Sequence, residues 1–449
     1  MKIIQVVHSF PSHSMAGTEL YTYSLSKELA KKHCVFVFHR MCDPKLKEYQ
    51  IEHSRFEDLN VFRINNTFKF CNSFEMFYRN EIIADKFGET LDQLKPEIVH
   101  IQHLIYLSTT IINEIKKRGI PIVFTLHDYW LICPQWHFLK KDFSICNDND
   151  ISQCINCLND QLSIKKLPRK IYLFLRNSVP NFLIGFLKKI YLNLARANFD
   201  PDEAGKKISA RKRHIKVLCS MVDFFIAPSQ FLKKRYVEFG IPIDKINFIS
   251  HGINSELFKN FEKKESNKIR FGFIGTILPA KGVDILIKAF NKLGNNQAEL
   301  KIYGRLFPYK GFEHYPRYVQ SLAKNRNIRF MGEFNNKKIA DVLSDIDILV
   351  LPSIWHENSP LTILEGFSTN TPIIASNIGG IPELIRDRVD GLLFEPRNCD
   401  DLYEKMKIFI DNPSLIEKLK SRINSPKNMK ENTQELEKIY MDLLKKKCA

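Results

Sequence analysis

Glu357 and Glu365 stand with seven residues between them in the stretch 355–380, WHENSPLTILEGFSTNTPIIASNIGG. The apolar run before it, ILVL at 348–351, has the length of a buried strand. Asn358 and Ser359 are residue types that cap helices, and Pro360 is a proline that a first helical turn tolerates. A helix starting near Pro360 turns uncapped N–H groups and its positive dipole end out past the strand's carboxyl edge, where a phosphate can bind. Ser359, Pro360 and Leu361 would form that start. Glu357 just before it and Glu365 about one and a half turns into it would bracket the ligand and accept hydrogen bonds from sugar or ribose hydroxyls. The same spacing also fits an ordinary strand–turn–helix with two solvated acids.

Other residues carry chemistry elsewhere in the chain. Gly275 to Gly282 (GTILPAKG) is a glycine-flanked turn whose Lys281 can set an ammonium on a diphosphate, although many turns read this way. His127, His100 and His103 lie near the ends of two predicted strands. Residues 8–19 lie between a predicted strand and helix, and Gly17 there lets backbone approach a substrate. Cys133, Cys146, Cys154 and Cys157 read C-x12-C-x7-C-x2-C in a polar stretch. That set fits a closed tetrahedral zinc site with a structural role. It fits an oxidised pair or buried thiols as well.

Glu357 through Glu365 (ENSPLTILE), with the flanking strand, the proline and Gly379-Gly380, resembles the E-x7-E region of family-4 retaining glycosyltransferases, also called group 1, of the GT-B fold. His127 opens HDYWLICP, which is similar to the HDYW-x-x-CP segment of one branch of that family. The resemblance covers nearly the whole chain and implies a hexosyltransferase that binds a nucleoside-diphosphate sugar without a metal on the diphosphate. By the same resemblance Lys281 meets the donor phosphates, Glu357 the sugar hydroxyls and Glu365 the ribose. His127 would hydrogen-bond near the reacting centre without abstracting a proton. Two positions depart from the family pattern. Ala16 replaces the first glycine of the loop ending in Gly17-Thr18-Glu19, and Thr276 stands where an arginine is common.

Strand-like runs at 3–7, 34–38, 61–64, 98–101, 122–126, 222–228 and 246–249 alternate with helical patterns at 20–29, 81–94, 109–117 and 231–239. A second series has strands at 269–274, 300–303, 328–330, 348–351, 373–375 and 392–394. Such alternation predicts an α/β chain of two Rossmann-like domains with parallel sheets, whose ligands sit beyond the strands' carboxyl ends. The predicted organisation is an acceptor domain at 1–253, a linker at 254–268, a nucleotide-sugar domain at 269–424 and a helix at 425–449 returning to the first domain. The cysteine loop (133–160) and a basic insertion (163–216) interrupt the first domain. No G-x-G-x-x-G follows a strand, which argues against a dinucleotide-dependent enzyme.

The 449 residues carry a formal charge of +17 and a pI near 9.3, which suits an anionic partner. No nucleic-acid-binding motif accompanies the charge, so nucleic acid is not expected. Residues 163–216 hold fourteen Lys or Arg against three Asp or Glu, and apolar residues from Leu183 to Leu194 recur at helical spacing. This pattern fits a helix lying on an anionic membrane, or one packed on its own domain with a solvated basic face. No run of eighteen apolar residues and no signal-peptide pattern occurs. The expected setting is cytoplasmic, peripheral on the inner membrane face, with reduced cysteines and a glycan or lipid-linked acceptor. A non-catalytic sugar-binding scaffold on the same fold is the alternative.

Overall fold

The computed structural model describes all residues except 12–15, 147–149, 163–199, 295–297, 307, 309–310 and 449. The apolar repeat from Leu183 to Leu194 therefore lies outside the described residues. The chain builds two sheets. The first contains β1 (Lys2–Val7), β2 (Cys34–Met41), β3 (Ile51–Phe56), β4 (Leu59–Asn65), β5 (Ile98–Ile101), β6 (Ile122–Thr125), β7 (Phe224–Ala227) and β8 (Ile246–Phe248), in the order β3-β4-β2-β1-β5-β6-β7-β8. Every pairing is parallel except β3 with β4. β3 (IEHSRF) escaped the sequence reading because an edge strand needs few apolar residues, and this one is half exposed along its length.

The second sheet is wholly parallel: β9 (Ile269–Ile274), β10 (Ala298–Tyr303), β11 (Ile328–Gly332), β12 (Ile348–Leu351), β13 (Ile373–Ser376) and β14 (Gly391–Phe394), in the order β11-β10-β9-β12-β13-β14. Central strands such as β5, β6, β12 and β13 are buried along their whole length, as runs of Ile, Val and Leu covered on both faces should be.

Residues 254–268, the expected linker, are partly packed. Phe258 on the short turn Ser255–Phe258 packs with Ile253, Ile339, Leu343 and Leu364, and burial lowers the Lys263 ammonium to about 8. The last helix, Met429–Cys448, lies on the first sheet. Leu436 and Tyr440 are buried among Ile3, Val35 and Ile98, and Asn432 accepts the Tyr21 hydroxyl (2.7 Å). The backbone crosses between the two halves twice at one place, where Ile253 and Asn428 pair.

Candidate active site

The carboxyl ends of the two sheets face each other, and Asn358 joins them. Its amide donates to the carbonyls of Leu126 (3.3 Å) and His127 (3.2 Å), and its oxygen accepts the Ser229 hydroxyl (2.6 Å). The helix Leu361–Ser368 is led by Pro360 with no side-chain cap, so neither Asn358 nor Ser359 caps it. Asn358 reaches across to the first half. The enclosed Ser359 hydroxyl has no partner among the described residues. Glu383 repeats the bridge, accepting the N–H groups of Gln230 and Phe231 (both 2.6 Å) at the start of the helix Gln230–Phe239.

Gly379 and Gly380 make this turn possible. Gly379 has φ +63, and a Cβ at Gly380 would lie 1.9 Å from the Asn358 carbonyl oxygen. The Gly380 N–H donates to the Glu357 carbonyl (2.7 Å), which fixes the loop bearing the carboxylate.

Both carboxylates are buried, not solvated: Glu357 is 5% exposed and Glu365 6%. Their environments differ. Glu357 Oε1 accepts three donors, from Lys281 Nζ (2.6 Å), the Ser353 hydroxyl (2.7 Å) and the Trp355 indole N–H (2.8 Å). Glu365 has no hydrogen-bond or ion-pair partner among the described residues, and burial raises its carboxyl to about 7. A buried carboxyl left without a protein donor is suited to accept hydroxyls from a bound molecule.

Lys281 ends a short turn, Pro279–Lys281, rather than opening the helix Val283–Asn291. Gly282 (φ +67) sits against the Pro352 carbonyl, so the turn lies flat on the end of β12 and brings Lys281 to Glu357 and over the Trp355 ring (5.4 Å). The Gly275 N–H is engaged by the Tyr303 carbonyl (3.1 Å) and cannot serve a phosphate. Gly17 is the first residue of the helix Gly17–Ala30 rather than part of a loop. It faces Leu361, whose side chain would lie 3.9 Å from a Cβ there, so the starts of the two helices meet.

His127 follows β6. Its Nε2–H donates to Gln102 Oε1 (2.8 Å), and its ring stacks on His251 (5.1 Å) beside Tyr21. Burial, then the neighbouring His251, holds it well below the usual imidazole range, so it is a neutral hydrogen-bonding group. His100 lies inside β5, where it bonds Tyr440 and Thr125 and burial lowers it to about 3, which makes it a structural residue. His103 pairs with Asp128 (3.1 Å).

The expected cysteine loop is a loop only in part, because Cys154 and Cys157 lie on the helix Ile151–Leu162; all four cysteines are free thiols. Burial pushes Cys133 up to about 12 and Cys154 to about 11. Each also feels its neighbours: Cys133 is raised further by Cys154 and Cys146, and Cys154 by Cys146 and Cys157. The sulfurs therefore share one region. No three described His, Cys, Asp or Glu side chains are arranged to hold a metal ion.

The sequence reading missed Ser353, Trp355, Ser229, Gln102 and Glu383. One signal was available: Ser353, Trp355 and Glu357 alternate at period two, which puts them on one side of an extended segment. The others come from distant elements and left no local trace.

Residues 254–435 match the model of glycosyl transferases group 1, and residues 15–146 that of glycosyltransferase family 4. An uncharacterized glycosyltransferase of Methanocaldococcus jannaschii is 32% identical over 170 residues, 37% of this chain and 44% of that protein. An uncharacterized 42.6 kDa protein in the cps region of Klebsiella pneumoniae is 22% identical over 305 residues, 68% of this chain and 63% of that protein. The matches thus span less than two thirds of either relative. The crystal structure of Anabaena HepE in complex with UDP and glucose superposes with a TM-score of 0.64 at 14% identity, covering 98% of this chain and 99% of that one. The two facing, mostly parallel sheets are the GT-B fold, and the matched stretches, residues 15–146 and 254–435, are similar to glycosyltransferases of family 4 and group 1.

Proposed function

We propose that the protein is a retaining hexosyltransferase of the branch bearing HDYW-x-x-CP, taking its sugar from a nucleoside-diphosphate donor. The reading rests on one arrangement: the Lys281–Glu357 pair beside an uncapped helix start, with an unpartnered Glu365 one turn further on. The diphosphate would lie at Ser359–Leu361, within reach of Lys281, and the ribose at Glu365. The sugar would lie between Glu357 and His127. As the anomeric C–O bond breaks, negative charge grows on the diphosphate, and Lys281 and the helix start offset it. The acceptor hydroxyl would attack from the face the diphosphate leaves, giving its proton to the departing phosphate and retaining configuration. UDP is the first nucleotide to try, since the similar HepE structure holds UDP.

The acceptor proposed is a lipid-linked glycan of surface polysaccharide, reached at the inner face of the membrane. The described part of the basic segment supports this: Lys206, Lys212, Arg213 and Lys216 are exposed on the helix Pro201–Met221. Among the described residues no helix is long and apolar enough to cross a membrane. A structural zinc in the cysteine loop is proposed on the grouping of its four thiols, which would have to draw in as thiolates to coordinate it. Calorimetry with UDP-, GDP- and ADP-linked hexoses, followed by the anomeric proton coupling of the product, tests the main reading. Micromolar binding of one donor and a retained anomer are expected. Absence of binding to every donor refutes it.

A further inference from the structure

The segment from Cys133 to Cys146 forms a small hairpin closed by a bridge between Leu139 and Ile145 and by the Cys146 N–H on the Phe138 carbonyl (2.8 Å). It leaves the first half of the chain and sets two aromatic rings against the second. Trp136 meets Trp355 edge-to-face, with centroids 5.8 Å apart and planes at 85°, and Phe143 meets Phe312 at 5.5 Å. Three hairpin aromatics, Trp136, Phe138 and Phe143, adopt left-handed backbone conformations, with φ of +59, +49 and +64. Bulky residues rarely do so, and such strain persists only where surrounding contacts hold it. Those contacts are visible: the Trp136 N–H donates to the Cys133 carbonyl (2.7 Å), and Phe138 packs on Tyr129 beneath the Arg235 guanidinium.

Trp355 is the receiving end, and it is wired to both donor-site charges. Its indole N–H donates to Glu357 Oε1, and its ring face carries Lys281 Nζ. A shift of the Trp355 ring therefore moves the carboxylate and the ammonium together. We propose that Trp136 is a positioning residue for the donor site, its ring holding Trp355 in the orientation that presents Glu357 to the sugar and Lys281 to the leaving diphosphate. This rests on the donor-site reading above. Glu365 and the helix start lie outside the Trp136 contact, so UDP affinity should depend on it much less than turnover does.

The test compares Trp136→Ala, Trp136→Phe and Trp355→Phe in the full chain. Two indoles at this separation give an exciton couplet in far-ultraviolet circular dichroism, and each of the three variants should abolish it. Trp136→Ala should lower kcat about tenfold or more while UDP affinity stays within about threefold of wild type, and Trp136→Phe should restore most of the rate. Retained UDP binding also shows that the variant is folded. A wild-type spectrum without the couplet, a Trp136→Ala kcat within twofold of wild type, or a parallel loss of UDP affinity each overturns the inference. A wild-type protein that shows the couplet yet binds no nucleotide sugar refutes the donor-site reading instead.

Discussion

Glu365→Gln should make the empty protein more stable at alkaline pH while weakening donor binding. The Glu365 carboxyl is buried without a partner, and its folded value of about 7 compares with 4.5 for an ordinary glutamate. Between those two values the folded chain holds a proton that the unfolded chain has released, so unfolding free energy falls as pH rises. That interval corresponds to about 3 kcal/mol at full ionisation. Stability is thus retained below pH 4.5 and lost as pH climbs through 7. Glutamine keeps the shape and never ionises. The variant should match wild type near pH 4 and exceed it by up to about 3 kcal/mol at pH 8, measured by urea denaturation of both proteins at both pH values. The ligand side has the opposite sign. A ribose hydroxyl pair bonds best to the ionised form, so wild-type UDP affinity should rise from pH 6 to pH 8. A hydrogen bond to a charged group is worth about 1.5–3 kcal/mol, so the variant should lose roughly ten- to hundredfold in affinity at pH 8. A wild-type minus variant stability difference that is flat across pH would refute the buried, unpartnered carboxyl. Equal UDP affinity would refute its role.

Lys281→Ala should lower kcat more than it raises donor KM, because the charge is needed most as the diphosphate departs; wild-type values of both would leave Lys281 only as the partner of Glu357. Gly380→Ala places a Cβ against the Asn358 carbonyl, and a loss of about 1–3 kcal/mol or more is expected in urea. Gly294→Ala, where a Cβ meets nothing, is the control, and an equal response from both would deny the close approach at Gly380. Protein purified without chelator should carry about one zinc per chain, and much less after Cys154→Ser; no zinc in either sample returns the four thiols to packing. Replacing Lys206, Lys212, Arg213 and Lys216 together with glutamate should abolish flotation with liposomes rich in phosphatidylglycerol at low salt, and binding indifferent to lipid charge would leave a soluble acceptor as the better choice.

Local pattern alone carried most of the fold. Ile348–Leu351 and Ile122–Thr125 are recognisable as buried strands because parallel sheets covered on both faces demand uninterrupted apolar runs, and a run of that kind is written in the residues themselves. The pairing of Glu357 with Glu365, the glycine pair after them and Lys281 were legible for the same reason: each belongs to one short segment whose spacing is its geometry. What Asn358 does was not legible. Read locally it is a helix cap, and only the approach of the first half of the chain offers it the Leu126 and His127 carbonyls. The two carboxylates look alike in sequence, yet Lys281, Ser353 and Trp355 converge on one while the other stays without a donor. That difference, which separates a Glu357 with three donors from a Glu365 with none among the described residues, depends on burial and on partners up to 76 residues away. His100 and His127 likewise differ only in where strand and cleft place them. Spacing along one segment is set by covalent geometry, whereas hydration and partnership are set by whatever the rest of the chain packs against it.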